Sequence, residues 1–239
     1  MPLLADYHTH TCFSHGTGTP EQNVQAALAL GLKEIAISEH NGGHLFYGVR
    51  GKNLLALNRE IARLQSAYGG RIRISLGVEA NLLGDGVTDL PPHAAEQFHP
   101  VLLGYHKGVF PRGATGWRWE AGLLFGQSPR YARQNAMAVA HALERNPGIF
   151  AVTHPGLYIP MDIPTLAKAC VDNGAAFELN AGHSGLTLEM IQQAALEPGL
   201  TFLLSSDAHQ PQQVGQVDRA AALARQAGVL HRVINWAQA

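Results

Sequence analysis

The sequence predicts an α/β fold in which parallel strands alternate with crossover helices. Three observations carry that prediction. Seven short apolar runs punctuate the 239 residues, each as long as a buried strand and several rich in β-branched side chains. Amphipathic stretches of helical length lie between most of them. Helix start and stop signals fall in the intervals, so the two periodicities alternate along the whole chain. About seven β-α units require parallel strands with crossover helices, which leaves an open doubly wound sheet and a closed barrel as the two architectures. The unit count is near that of a (β/α) barrel.

In chain order, the strand-like runs are Leu3–Tyr7, Glu34–Ile37, Ile72–Val78, Pro100–Leu103, Gly148–Val152, Ala175–Leu179 and Leu200–Leu204. Thr19-Pro20-Glu21 reads as an N-cap, a proline at the first helical position and an acidic first turn, and that helix runs to Gly31. Residues 53–67 place Leu54, Leu57, Ile61 and Leu64 on one helical face. Ser128-Pro129 opens a helix to about Glu144, and Met161–Asn173, Thr187–Leu196 and Gln210–Ala227 supply three more. Lys107–Gln127 is rich in Gly, Arg and Trp with weak periodicity. It reads as a long loop of the kind that forms a lid or a substrate-binding segment. No linker or repeat divides the chain, so residues 1–239 are expected to form one domain.

Composition excludes several functions. Apolar residues are 46% and charged residues 15%, a globular balance, and the net charge of −1 argues against a nucleic-acid or membrane surface. Neither a signal peptide nor a transmembrane run is visible in the sequence, and two cysteines, Cys12 and Cys170, argue against a disulfide framework. A cytoplasmic location fits. The anomaly is thirteen histidines.

Both α/β architectures bind ligands at the carboxyl ends of their strands, and the histidines collect there. The first strand ends in Asp6-Tyr7-His8-Thr9-His10, whose two imidazoles project to the same side of an extended chain, with His15 in the loop beyond. His40, Glu79, His106 and His154 follow the second to fifth strands, and Asp207 and His209 follow the seventh. Six of seven strands thus deliver a candidate metal ligand to one rim. His183, past the sixth strand, is a candidate for contact with substrate, as is His44 with a weaker claim. His93, His99, His141 and His231 lie in helices or connections and read as ordinary surface or packing residues; Cys12 reads as a small buried hydrophobe.

The segments DYHTHTCFSH (6–15), SEH (38–40), GVEAN (77–81), GYH (104–106), THPG (153–156) and SSDAH (205–209) resemble the polymerase and histidinol phosphatase (PHP) family, in the family's order and across nearly the whole chain. The resemblance implies a distorted, TIM-like (β/α)7 barrel. It also implies three divalent cations. His8, His10, Glu79 and Asp207 would hold the first. Glu79 would bridge to a second held also by His106 and His154. His15, His40 and His209 would hold the third. Glu39 stands where the family usually has Asp, and it reads as a support for ligands rather than a ligand.

A ligand set of neutral imidazoles and two carboxylates under three dications leaves excess positive charge, which suits hydroxide and a dianionic phosphate monoester. Zn, Mn or Fe fits such N/O ligands. The expected reaction is attack of metal-bound hydroxide on phosphorus, with Glu79 and Asp207 organising the centre and His183 or a water protonating the leaving alcohol. Arg112, Arg118 and Arg133 are candidates to clamp phosphate. Histidinol phosphate is one candidate substrate. Alternatives are a phosphodiesterase or exonuclease of the same family, an amidohydrolase-type C–N hydrolase, and a metal-dependent regulatory domain without activity.

Overall fold

The computed structural model describes residues 3–237. Its strands are β1 (Ala5–Asp6), β2 (Glu34–His40), β3 (Arg73–Gly84), β4 (Val87–Thr88), β5 (Val101–Gly104), β6 (Ala151–Val152), β7 (Ala176–Asn180) and β8 (Phe202–Ser205). Seven of them pair in parallel in the order β1-β2-β3-β5-β6-β7-β8, while β4 hangs antiparallel on β3. The sheet curls until its two edges nearly meet. At the carboxyl end, Thr9 and Ala208 form a parallel bridge, and His10 N–H donates to Ala208 O at 2.7 Å. At the amino end, the C-terminal segment fills the gap between β1 and β8. Leu4 N–H reaches Asn235 O at 2.9 Å, and the buried Asn235 side chain donates to Ala5 O and Leu204 O. An edge pair left open would expose unpaired amides, and this asparagine satisfies both sides.

Helices α1 (Pro20–Ala29), α2 (Lys52–Tyr68), α3 (Ala94–Gln97), α4 (Gly113–Phe125), α5 (Ala132–Arg145), α6 (Ile163–Asn173), α7 (Leu188–Ala195) and α8 (Asp218–Gln226) join the strands. Thr19 accepts from Gln22 N–H and the Gln22 side chain returns the bond to Thr19 N–H, a full capping box with Pro20 at the first position. On α2, Leu57, Ile61 and Leu64 are the buried face, each contributing about 1.5–3 kcal/mol by burial. A core of buried side chains runs from Leu3 to Val233 through every barrel strand from β2 onward.

Three sequence expectations need correction. Lys107–Gln127 is not a long loop, since Gly113–Phe125 is helical. Only Gly116 and Trp119 of α4 are buried, whereas Trp117, Leu124 and Phe125 face solvent, so the apolar residues have no single face to betray the helix. Gln210–Ala227 is not one helix: a short turn at Pro211–Gln213 is separated from α8 by Gly215, whose φ of 71° ends the helical path. The third strand does not stop near Val78, because Ala80, Leu82 and Leu83 continue it, buried, to Gly84, in contact with α4 and paired with β4.

Candidate metal centre

Strand register assembles the centre. His40, the last residue of β2, lies opposite Glu79 of β3, and Glu79 lies opposite Leu102 of β5. His8 and His10 leave β1 on the same side, with Thr9 between them turned to Ala36 O at 2.8 Å. His106 and His154 lie two residues beyond β5 and β6, and Asp207 and His209 follow β8. Gly104 permits the approach of two strands: a Cβ there would stand 2.8 Å from His154 Cε1 and 2.4 Å from Thr153 Oγ1. His154 and Asp207 hold φ values of 28° and 52°, a strained region for non-glycine residues that the surrounding bonds must maintain.

Five imidazoles face Glu79. The Glu79 carboxylate lies 2.8 Å from His154 Nε2, 2.9 Å from both His106 Nε2 and His40 Nδ1, 3.2 Å from His8 Nε2 and 3.4 Å from His10 Nε2. Asp207 lies 3.4 Å from His10 Nε2 and 3.5 Å from His8 Nε2. His15 Nε2 and His209 Nε2 approach each other at 2.5 Å. Four triads have their ligand atoms close enough to share an ion: His8/His10/Asp207, His8/Glu79/His154, His40/Glu79/His106 and His10/His15/His40. The decisive detail is orientation. His8 Nε2, His40 Nδ1 and Glu79 Oε2 are buried with no hydrogen-bond partner although His8 Nε2 lies 3.2 Å and His40 Nδ1 2.9 Å from the Glu79 carboxylate. Buried polar atoms that converge without bonding one another are costly unless something electropositive lies between them. The residues present therefore fit a cluster of divalent cations.

Electrostatics point the same way. Burial pushes Glu79 up, yet His106, His8 and His40 hold its carboxyl well below the ordinary range. Asp207 behaves alike, against burial, through His8, His10 and His183. Burial lowers His8, but Asp207, Glu79 and Glu178 outweigh it and keep its imidazole well above the usual histidine value. By contrast, burial drives His106 down to about 3 and His15 down to about 2, the latter with help from His10, His40 and His209. The two carboxylates thus hold positive charge in the pocket, while the outer imidazoles stay neutral donors of lone pairs.

The profile of the PHP domain matches residues 6–113. That stretch, which carries His8 through His106, is similar to the PHP domain. A protein of Acetivibrio thermocellus named "Probable phosphatase" is 27% identical over 229 residues, covering 92% of this chain and 85% of its own. Another, from Caldanaerobacter subterraneus, is 28% identical over 235 residues, covering 92% and 82%. The histidinol phosphate phosphatase of Lactococcus lactis, solved with zinc, L-histidinol and phosphate, superposes with a TM-score of 0.69 at 17% identity, over 98% of this chain and 96% of that one. At that identity it establishes the fold, which is the distorted barrel expected from the sequence.

In this chain the nine residues expected as ligands, His8, His10, His15, His40, Glu79, His106, His154, Asp207 and His209, do come together, and His183 joins them with Nε2 at 3.0 Å from Asp207. Arg112, Arg118 and Arg133 do not line that cavity. Arg118 is bound to Gln134 and Asn135 and stacked on Tyr131, while Arg112 and Arg133 are exposed at and beyond α4. Cys12 is exposed rather than buried, because the turn that carries it faces outward while its neighbour Thr11 is bonded inward to Glu39. His93, His99 and His141 lie away from the cavity; His141, for one, bonds Asp85 at 2.7 Å. Glu39 takes bonds from Thr11 and Ser14, as a support would. The residue that sequence reasoning missed is Glu178. Wholly buried in β7, it accepts from His8 Nδ1 at 2.6 Å, His154 N–H at 2.5 Å and Ser205 Oγ at 2.6 Å. Its signal was a charged residue inside an apolar strand. Asn81, which holds His106 Nδ1 at 2.8 Å and is itself held by Asp89, was likewise missed.

Proposed function

We propose that this chain, taken as one unit over residues 1–239, is a metal-dependent phosphatase of the PHP family. It hydrolyses a small phosphate monoester in the manner of histidinol phosphatases, at three divalent cations. The observation that supports it best is the ring of buried imidazoles around the Glu79 carboxylate, with His8 Nε2, His40 Nδ1 and Glu79 Oε2 left unpartnered. His8, His10, Glu79 and Asp207 would hold one ion, Glu79, His106 and His154 a second, and His15, His40 and His209 a third; Zn, Mn or Fe suits those donors. Bound cations supply Lewis acidity and make water acidic enough to ionise near neutral pH. Glu79 sits where two ligand groups meet, so its two oxygens fix their separation. Asp207 orients His183, whose imidazole is about one-third exposed and faces the cavity mouth, where it can pass a proton to the departing alcohol. Support for phosphate chemistry comes from relatives named phosphatases. With one exposed and one buried free cysteine, and no helix among the described residues long and apolar enough to cross a membrane, we place the enzyme in the cytoplasm.

The test is direct. Purified protein is analysed for bound metals and assayed on a chromogenic phosphate monoester beside a diester and an amide. Monoester turnover that His8→Ala and Asp207→Ala abolish is the expected result. Turnover of the amide or the diester alone would reject the proposal in favour of its alternatives.

A further inference from the structure

The cavity among the ligand residues holds about 60 Å³, too little for the alcohol portion of a substrate beside a phosphoryl group and cations. Whatever distinguishes one monoester from another must therefore lie at the mouth, and the mouth has a defined chemistry. The loops after β2 and β5 are zipped together. His44 and Val109 form an antiparallel bridge, Leu45 N–H donates to Gly108 O at 2.9 Å, and Phe110 N–H donates to Gly43 O at 3.3 Å. Buried His44 holds the turn that carries the zipper: its Nδ1 accepts from Phe46 and Tyr47 N–H. Lys107, directly after His106, is held in place by the pairing of its neighbour Gly108 with Leu45. Its ammonium lies 4.8 Å from the ring centre of Tyr158. That ring lines the metal cavity, 6.4 Å from the His154 ring and 6.5 Å from the His183 ring.

Lys107 does not line the cavity itself, so its charge sits one aromatic ring further out than the phosphoryl position. Among the described residues, no carboxylate comes within ion-pairing distance of it. Two more cations at this end share that condition. Arg50 spends its guanidinium on His44 O and Arg219 on His183 O, both backbone carbonyls. Of the carboxylates nearby, Glu79, Asp207, Glu178 and Glu39 are buried, and Asp89 is half-buried and engaged by Gly43 N–H and Asn81. An ammonium on an aromatic face, unneutralised by protein, is a ready partner for an anion.

Building on the phosphatase reading, we infer that Lys107, backed by Tyr158, recognises a second anionic group on the alcohol portion of the substrate, a carboxylate or another phosphate. The preferred substrate is then a phosphorylated acid or a bisphosphate. A phosphorylated amino alcohol such as histidinol phosphate would bring its ammonium against Lys107 and be disfavoured.

Three butyl phosphates, ending in carboxylate, hydroxyl or ammonium, test this with the metal-loaded enzyme. The quantity read is the ratio of kcat/KM for the carboxylate ester to that for the ammonium ester, measured within each preparation so that differences in active fraction cancel. Wild type is expected to give a ratio above one. Lys107→Gln should reduce it about tenfold and Lys107→Glu should reverse it, in the order of charge. Inhibition by butanoate-type product should weaken in the same order. A wild-type preference for the ammonium ester, or a ratio identical in all three proteins, overturns the inference while leaving the phosphatase reading intact. Failure to hydrolyse any monoester overturns the phosphatase reading instead, and this inference with it.

Discussion

Replacing Glu178 by glutamine removes one charge and almost no volume, yet it should disable the centre. The carboxylate receives four donors: His8 Nδ1 at 2.6 Å and Ser205 Oγ at 2.6 Å on one oxygen, His154 N–H at 2.5 Å and Asn180 Nδ2 at 3.1 Å on the other. A glutamine has one acceptor oxygen, so its NH2 must point at one of these pairs. Two donors then lose their acceptor inside a wholly buried site, at about 1–3 kcal/mol each. The consequence is positional. His8 would no longer be held with Nδ1 protonated and Nε2 free for a cation, and the strained φ of 28° at His154 would lose the bond that restrains it. Loss of such support for ligands typically weakens metal affinity about 10–100-fold. The assay is competition with a chromophoric chelator, run beside thermal unfolding of the chelated protein. Lower affinity by that factor, with a folded protein, is expected. Glu178→Gln protein that binds its full metal complement within threefold of wild type would refute the reasoning.

Gly104→Ala should lower activity at least tenfold, because the new Cβ would stand 2.8 Å from His154 Cε1, an overpacking worth about 1–3 kcal/mol; metal content and kcat/KM check it. His183→Gln should keep its metals but lose about 10²–10⁴ in kcat on alkyl esters, and much less on nitrophenyl phosphate, whose leaving group needs no proton. Chelated protein should show greatest resistance to urea near pH ~6.5. His10, whose value is raised to about 9 against burial by Asp207 and Glu39, stabilises fully below the ordinary histidine value, and that contribution is lost as pH rises through 9. His106 at about 3 and His15 at about 2 stay neutral when the unfolded chain takes protons, so stability also falls as pH drops below the ordinary value. A urea midpoint that rises steadily across this range would contradict the assignment. Metal content should fall below about pH 6, since cations and protons compete for the same nitrogens.

The alternation of parallel strands with helices and the gathering of candidate ligands at one rim were legible because both depend on short-range rules, whereas the barrel, as against an open sheet, was implied by the family resemblance. Strand length, helix caps and the placement of His8, His10, His40, Glu79, His106, His154, Asp207 and His209 past successive strands are local facts, and parallel pairing brings local facts to one face. What stayed hidden depends on contacts between distant segments. Glu178 looks like any residue of β7 until β1 and β6 place His8 and His154 against it. Helix α4 escaped notice because Trp117, Leu124 and Phe125 stay exposed, so no amphipathic period marks it. Arg118 was a reasonable phosphate clamp until Asn135 and Tyr131 took its guanidinium.

Cavity size separates the two ends of the barrel by role. A far larger hollow, about 570 Å³, lies at the amino ends of β5 and β6, lined by Leu90, Pro91, Pro92, Arg145 and Pro147 among others. Size alone would make it the binding site, yet no group of candidate metal-ligating side chains converges there among the described residues. The metal cavity is small for the opposite reason. On the proposed reading, nine ligands around three ions would leave space only for the group that reacts, and several cations over two buried carboxylates would make that space selective for a dianion of phosphoryl size. Such a centre cannot read the rest of the substrate. Chemistry and selectivity must then be carried by different parts of the chain: the strand ends fix the first, and the zipped loops after β2 and β5 can vary the second without moving a single ligand.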